Sequence, residues 1–342
     1  IASTGGVIAF VCWYLRIRKV LRPLAEESRQ EPVAASAHQT TVAIIIDEHS
    51  PSITQLLKGY RAAIATFTNQ HYDIEVFVGE NRTKLTRHHM KHILAGKYDC
   101  VVTTSIFITQ IVQQVIESST EKMPIIFGNI KAIEGHIVQH TEALSHTTGL
   151  LTERDIAPEL SCLMALRPDV KRALLLYPSQ GIRWVSHEQG QIATILRRNG
   201  VIVDELQASD DLPVGINFAA YDLMVIPAQT LSLAQLATIA TACSLFQCTL
   251  YSSDPDAITA GAAVMATENK QEVGKMLAQI THDALDSAQK SPLPPVIQHI
   301  APMKITINQK ALLAQKLHIS DEMLSLVGRG LIYNSPEHVL HE

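Results

Sequence analysis

The feature that most constrains this chain is a repeated unit: a short apolar run, a polar loop and an amphipathic helix. Val42–Ile46 is a continuous apolar run, which is typical of a strand buried on both faces. Pro51–Thr68 follows, and its apolar residues recur at helical spacing. Strands are likewise predicted at 74–78, 99–102 and 124–127, with helices between them. This alternation predicts an α/β fold with a parallel, doubly wound sheet and right-handed crossovers.

A second round of the same unit begins after an irregular passage, Lys131–His146, whose composition is typical of a connection between lobes. Strands are predicted at 172–177, 201–206, 221–226 and 247–251, with helices at 185–199 and 233–246. The sequence therefore predicts two doubly wound parallel-sheet lobes. Between lobes of this kind we expect a ligand cleft.

Small polar side chains follow most of the predicted strands. In open parallel sheets, ligands bind outside the carboxyl ends of the strands, where helix N-termini also point. Any single one of these residues is better explained as a helix cap, but as a set they favour a binding cleft. The candidate ligand-binding residues are Ser50, Thr104, Ser105, Asn129, Ser179, Gln180, Gln229, Thr230 and Asp254.

The segment Leu250–Ala263 shows both interpretations clearly. A buried strand end is followed by a polar loop through Asp256 and by a run of small residues that begins a helix. Asp254 or Asp256 can cap that helix. As a ligand contact, the Asp254 carboxylate would hold an ammonium group.

Composition and motifs exclude several classes of function. Lys and Arg number 28 against 33 Asp and Glu, so no basic excess favours nucleic acid, and aromatics at 5% offer no base-stacking surface. No nucleophile elbow, zinc-protease or phosphate-loop motif occurs, so we predict no enzyme. The five cysteines have no zinc-site spacing, and we predict neither metal nor cofactor. Whether Cys243 and Cys248 pair stays open.

The N-terminal residues 1–22 are predicted to be a membrane anchor. Val7–Leu15 is apolar, ends in an aromatic pair and is followed by Arg16, Arg18, Lys19 and Arg22. Its run of about 15 residues is shorter than the roughly 20 that a spanning helix needs, so upstream residues would have to complete it. The basic cluster leaves the membrane side of the remaining chain open. Residues 23–40 are polar, contain prolines and are predicted to be a linker.

From Thr41 to about Ile332 the chain resembles the ABC-transporter substrate-binding proteins of the tryptophan/tyrosine-binding type. The order and spacing of several stretches carry the resemblance. They are VAIIIDEHSPSITQLLKGYRAAI, DCVVTTSIFITQIV, PIIFGNIKAIEG, TTGLLTERDIAPELSCLMALRPDVKRALLLYPSQ, MVIPAQT, LYSSDPDAITAGAAV and ITINQKALLAQKLHISDEML. This family has the type I periplasmic-binding-protein fold. After the returning strand it usually has glycine with an aromatic and an acidic residue, whereas this chain has Thr267-Glu268-Asn269.

The resemblance implies a non-enzymatic receptor that binds a small polar, amino-acid-like solute between two lobes and delivers it to an ABC permease. We expect lobe 1 to comprise 41–132 plus 262–295, and lobe 2 to comprise 147–255 plus 303–332. The globular part is expected to be membrane-anchored and extracytoplasmic. Two alternatives stay open: a membrane-tethered sensor of the same fold that signals to a protein partner, and a degenerate cleft without a ligand.

Overall fold

The computed structural model describes residues 39–68, 71–134, 146–177, 183–208, 215–227, 230–288, 293, 295–300, 303–315, 317 and 332–334. The predicted anchor and residues 23–38 of the predicted linker lie outside these residues, and the last two linker residues, Gln39 and Thr40, begin the first strand. Within the described ranges, no helix is both long and apolar enough to cross a membrane.

The first sheet has six strands, all paired in parallel, in the order β11-β5-β4-β3-β1-β2. The strands are β1 (Gln39–Ile46), β2 (His71–Val78), β3 (Cys100–Thr103), β4 (Ile125–Lys131), β5 (Thr147–Glu153) and β11 (Ile297–Ile300). The two faces are covered by α1 (Pro51–Ile64) and α8 (Lys270–Ala288), and by α2 (Thr83–Ala95) and α3 (Ile106–Glu117).

The second sheet has seven strands in the order β13-β12-β10-β9-β8-β6-β7. The strands are β6 (Arg172–Tyr177), β7 (Ile202–Gln207), β8 (Leu223–Ile226), β9 (Thr249–Ser252), β10 (Val264–Glu268), β12 (Met303–Ile307) and β13 (Ile332–Asn334). Only the β10–β12 pairing is antiparallel among the described strands of this sheet. Its helices are α4 (Ala157–Leu166), α5 (Arg183–Arg198), α6 (Leu233–Leu245), α7 (Ala257–Ala260) and α9 (Gln309–Ala314). The two parallel-dominated sheets confirm the predicted α/β class.

The described chain passes between the lobes at three places. It leaves lobe 1 from β5 into α4, returns from β10 into α8, and leaves again from β11 into β12. The predicted lobe limits differ from this sheet assignment at two strands. Thr147–Glu153 pairs within the first sheet and Val264–Glu268 within the second, because each strand completes its own sheet before the chain crosses.

Strands β5 and β11 are not predicted from the sequence pattern. Strand β5, TTGLLTE, is buried along most of its length, but its threonines hide the apolar signal. Thr152 donates to the Ile130 carbonyl at 3.4 Å, which satisfies one of those buried hydroxyls. Strand β11 lies at the sheet edge with all four residues exposed, so it lacks the burial pattern of a core strand.

Helices α1 and α8 pack side by side in parallel through two glycines. A β-carbon on Gly59 would lie 1.9 Å from the Gln271 carbonyl oxygen, and one on Gly274 would lie 2.1 Å from that of Leu56. Backbone approach this close requires glycine at both positions. The packing fixes the N-terminus of α8, and therefore Lys270, beside the carboxyl ends of the lobe 1 strands.

Candidate functional site

The carboxyl ends of the two sheets face each other where the chain crosses. Lys131, the last residue of β4, forms an ion pair with Glu268, the last residue of β10. Arg154, which follows β5, donates from Nη2 to the Ala266 carbonyl in β10 at 3.3 Å. Both contacts join the end of a lobe 1 strand to the end of a lobe 2 strand. The strand ends that carry Lys131, Arg154 and Glu268 therefore border a shared interlobe region.

Two of the predicted residues in lobe 1 cap helices. The Ser50 hydroxyl accepts from the Ile53 backbone N–H at 3.2 Å, and the Ser105 hydroxyl accepts from that of Ile108 at 3.2 Å. These bonds support the capping explanation for both residues, because each satisfies a backbone donor that the helix itself cannot.

Thr104 and Asn129, the other two predicted residues of lobe 1, differ from these serines in their hydrogen bonding. Thr104 is buried, with 1% of its surface exposed, and its hydroxyl has no hydrogen-bond partner among the described residues. Asn129 has a φ of +59°, a conformation that few residues other than glycine adopt. Its Nδ2 donates to the Thr104 carbonyl at 3.1 Å, and its Oδ1 accepts from Lys270 Nζ at 2.5 Å. Asn129 thus links the end of β3 to the start of α8.

Lys131, Glu268 and Lys270 form a cluster that we call the crossover lysine cluster. Glu268 pairs with both lysines, and its side chain is 6% exposed, against 21% for Lys131 and 20% for Lys270. Burial alone would raise the pKa of Glu268, but the ammonium groups of Lys270 and Lys131 lower it to about 2. Burial lowers the pKa of Lys270, and the Glu268 carboxylate offsets part of that effect. The cluster therefore holds two cations around one carboxylate.

Asp47 lies directly after β1 on the same edge of the sheet. Its Oδ1 is buried and has no hydrogen-bond partner among the described residues. Burial raises the pKa of Asp47, a hydrogen bond from Ser105 lowers it, and the neighbouring Glu48 raises it further. A carboxylate oxygen in this state favours a ligand donor such as an ammonium group.

The first crossover carries a more deeply buried cluster around Arg154. Its guanidinium donates to Glu159 Oε1 at 2.9 Å, to Glu188 Oε2 at 2.9 Å and to the Tyr251 hydroxyl at 3.0 Å. The Tyr251 hydroxyl in turn donates to Glu159 Oε2 at 2.5 Å. Burial acts to lower the pKa of Arg154, but the surrounding anionic groups raise it well above its usual range. We call these four residues the arginine cluster.

The predicted residues of lobe 2 give a mixed result. The Asp254 Oδ1 accepts from the Asp256 backbone N–H at 3.0 Å, and the Asp254 N–H donates to Ser252 Oγ at 3.0 Å. The Thr230 hydroxyl is buried and has no hydrogen-bond partner in the described part of the chain. Ser179, Gln180 and Gln229 lie outside the described residues.

A cavity of about 280 Å³ lies between the lobes next to the first crossover. Its lining comes from both lobes, and most of the lining residues are of polar or charged types. It includes Lys131, Thr152, Arg154, His187, Glu188 and Gln298. Lys131 therefore belongs both to the crossover lysine cluster and to an interlobe cavity of a size that holds a small solute.

The most strongly charged members of the site were not predicted from sequence. Asp47, Lys131, Arg154, Glu268 and Lys270 all end or follow observed strands, but the strand before Arg154 was not predicted and β4 and β10 extend further than predicted. Charged side chains are usually solvated at such positions, so a place at a strand end does not by itself indicate burial. Their burial depends on partners far along the chain, such as Asn129 for Lys270, 141 residues away.

A family model described as "ABC transporter substrate binding protein" matches residues 41–329. Among solved structures, an ABC domain in complex with L-Trp from Streptococcus pneumonia has 17% identity and a TM-score of 0.58, covering 84% of this chain and 98% of that chain. A ligand-free, open substrate-binding protein with adhesive properties from Clostridium difficile has 14% identity and a TM-score of 0.69, covering 86% and 99%.

The fold is also shared with regulators. A putative LacI transcriptional regulator from Bacteroides fragilis has 11% identity and a TM-score of 0.52, covering 78% of this chain and 96% of that chain. Among curated proteins, none matches the sequence. The structural neighbours establish the fold, and the family model, which spans most of the chain, establishes the family. This chain belongs to the ABC transporter substrate-binding protein family.

Proposed function

We propose that the chain binds a small, polar, amino-acid-like solute between its lobes. The observation that carries this proposal is a row of polar groups without protein partners in the described residues, at the edge where the lobes meet. The Thr104 hydroxyl and Asp47 Oδ1 lie on the lobe 1 side, and the Thr230 hydroxyl follows β8 in lobe 2. Buried polar groups are normally satisfied. A solute between the lobes would satisfy these.

The charges at this edge support a zwitterion. Asp47 offers a carboxylate oxygen to an ammonium group, and the predicted ligand residue Asp254 offers a second carboxylate from the facing lobe. The lysines of the second crossover supply positive charge on the same edge. Ser50, Ser105 and Asn129 hold the neighbouring helix N-termini and backbone in place. Ser179, Gln180, Gln229 and Thr230 remain proposed contacts from lobe 2.

Family membership supports delivery of the solute to an ABC permease and an extracytoplasmic position for the lobes. Lobe closure around the solute would be the signal that the permease reads. A tethered sensor would use the same closure to signal to a different protein partner. The solute-binding step is common to both roles, so it is the step to test first.

The test is a thermal-shift screen of the full chain against the twenty amino acids and common small carboxylic acids. A solute that binds only the folded state raises the free energy of unfolding by about 2.7 kcal/mol at a hundredfold excess over its Kd. We expect at least one solute to raise the Tm in a saturable way. A folded sample that no compound stabilises would contradict solute binding and favour a degenerate cleft.

A further inference from the structure

Helix α6 ends in a Schellman motif whose two paired positions are both cysteines. The Cys248 backbone N–H donates to the Cys243 carbonyl at 2.9 Å, and the Gln247 N–H donates to that of Ser244 at 3.4 Å. Gln247 has a φ of +59°, the left-handed conformation with which such helices end. Cys248 then leads directly into β9. The motif therefore joins the last turn of α6 to the strand that follows it.

The side chains at these two positions usually make an apolar contact with each other. Cys243 and Cys248 are both fully buried and belong to the same apolar cluster of lobe 2. Both are thiols in the structure, and their side chains share a hydrogen bond. A pair of thiols fills the contact much as two small apolar side chains would. Unlike such side chains, it can also be joined covalently.

The backbone geometry at the end of α6 is compatible with a disulfide. With 2.9 Å between the Cys248 nitrogen and the Cys243 oxygen, standard bond lengths place the two Cα atoms at most about 7 Å apart. Disulfides join residues whose Cα atoms are usually about 4.4–6.8 Å apart. The hydrogen bond between the two thiols shows that the side chains also point towards each other. The pair can therefore close with little movement of the backbone.

We propose that Cys243 and Cys248 are a disulfide site, closed by exchange with a small-molecule disulfide such as oxidised glutathione. The thiolate of one cysteine attacks the S–S bond of the oxidant, releases one glutathione thiolate and forms a mixed disulfide. The second cysteine, as a thiolate, attacks the protein sulfur of that mixed disulfide and releases the other glutathione thiolate. Two protein thiols are oxidised, one glutathione disulfide is reduced to two thiols, and the two protons pass to the released thiolates.

Burial determines when this exchange takes place. The hydrogen bond with Cys248 and the apolar surroundings raise the pKa of Cys243 well above its usual value, so the folded chain holds it as an unreactive thiol. We therefore expect exchange while the end of α6 is open, during folding or local unfolding. An extracytoplasmic position, as proposed above for the lobes, is one in which the closed bond persists. The disulfide site does not depend on solute binding.

The test is a glutathione redox titration of the full chain in two concentrations of urea. At the unfolding midpoint the end of α6 opens and closes repeatedly, whereas in concentrated urea only the short spacing of the cysteines favours their pairing. Remaining thiols are alkylated, and the denatured protein is cleaved with chymotrypsin, which cuts after Phe246 between the two cysteines. A closed bond leaves the two peptides joined, and mass spectrometry measures the joined fraction.

We expect the equilibrium constant for closing this bond to be about fivefold or more larger at the midpoint than in concentrated urea, because the folded contact raises the effective concentration of one thiol at the other. The closed chain should unfold at a higher urea concentration than the reduced chain, and dithiothreitol should reverse the shift. C243A and C248A should lose this redox-dependent shift. The control C162A should keep it, since Cys162 lies on the opposite face of the second sheet.

Three results would overturn the proposal. Equal closing constants in the two urea concentrations would show that the folded contact does not favour the bond. Peptides that join either residue to Cys12, Cys100 or Cys162 instead would assign the oxidation to another pair. A redox-dependent shift that persists in both C243A and C248A would do the same. The peptide mapping uses the wild type, so it decides the question even where a variant does not fold.

Discussion

Two of the three crossovers between the lobes lead from a strand into a helix, the first from β5 into α4 and the second from β10 into α8. They differ in how the cation beside each crossover is neutralised. At the first, Arg154 is 6% exposed and is surrounded by Glu159, Glu188 and Tyr251. At the second, Lys270 is 20% exposed and shares one carboxylate with another lysine. A cation with its hydrogen bonds filled stabilises the fold. A cation with donors to spare is available to a ligand. We therefore propose that the first crossover is structural and that the second, called the binding crossover below, belongs to the proposed solute site.

The largest expected effect tests the structural crossover. Arg154→Met leaves the carboxylates of Glu159 and Glu188 buried without a cation, which costs roughly 3–5 kcal/mol. Urea unfolding followed by circular dichroism measures this loss. Arg172→Met is the matched control, because that guanidinium is 46% exposed and pairs with a partly exposed Asp204. It should cost less than about 1 kcal/mol. Equal losses would contradict a special role for the arginine cluster.

The next effect tests the packing that positions the binding crossover. Gly274→Ala places a β-carbon against the Leu56 carbonyl of α1, and we expect a loss of about 1–3 kcal/mol from the backbone shift that follows. Gly190→Ala is the control. Its β-carbon in α5 meets nothing within 4 Å, so alanine should stabilise that helix by about 0.5–1 kcal/mol. The same unfolding assay measures both, and opposite signs are the expected result.

The charge state of Glu268 gives a pH-dependent test of the binding crossover. The nearby lysines lower its folded pKa to about 2, below its usual value of 4.5. Its contribution to stability is therefore fully present above pH 4.5 and is lost as the pH falls toward 2. Unfolding free energies of wild type and Glu268→Gln, measured across this window, should converge as the pH falls. Parallel curves would show that the cluster does not hold Glu268 ionised.

The smallest effect on stability, with a large effect on binding, is expected at the predicted ammonium contacts. Asp254→Ala should abolish amino-acid binding and leave the fold intact, because the residue lies in a loop and its carboxylate accepts from the Asp256 backbone N–H within that loop. Asp47→Asn should weaken the same solute from the facing lobe. Titration calorimetry with the solute found in the screen measures both. Unchanged affinity in either variant removes that residue from the site.

Much of the fold follows from local sequence, and the exceptions have physical causes. Strands such as β1 and β6 are apolar on both faces, because helices cover both sides of each sheet, and their sequences indicate this directly. Strand β5 is equally buried, but its threonine hydroxyls bond to neighbouring backbone, so burial does not require apolar residues there. The exposed edge strand β11 is neither a continuous apolar run nor buried, so its sequence does not indicate a strand.

The candidate site, like the fold, has features that the sequence predicts and features that it does not. Its location at the strand ends could be predicted, since parallel sheets direct their polar loops to one edge. Its electrostatics could not, because Lys131 meets Glu268 only after the chain has crossed into the second lobe and completed five strands there. Local sequence also could not tell the capping serines, Ser50 and Ser105, from the unpartnered Thr104.

The most direct test of the two-crossover account is urea unfolding of wild type, Arg154→Met and Lys270→Met, each with and without the solute found in the screen. Arg154→Met should lose stability in the absence of solute. Lys270→Met should lose less stability than Arg154→Met without solute, because Lys131 still pairs with Glu268, and should lose most of the stabilisation that the solute gives to the wild type. Equal stabilisation of Lys270→Met and wild type by the solute would contradict the assignment of the second crossover to binding.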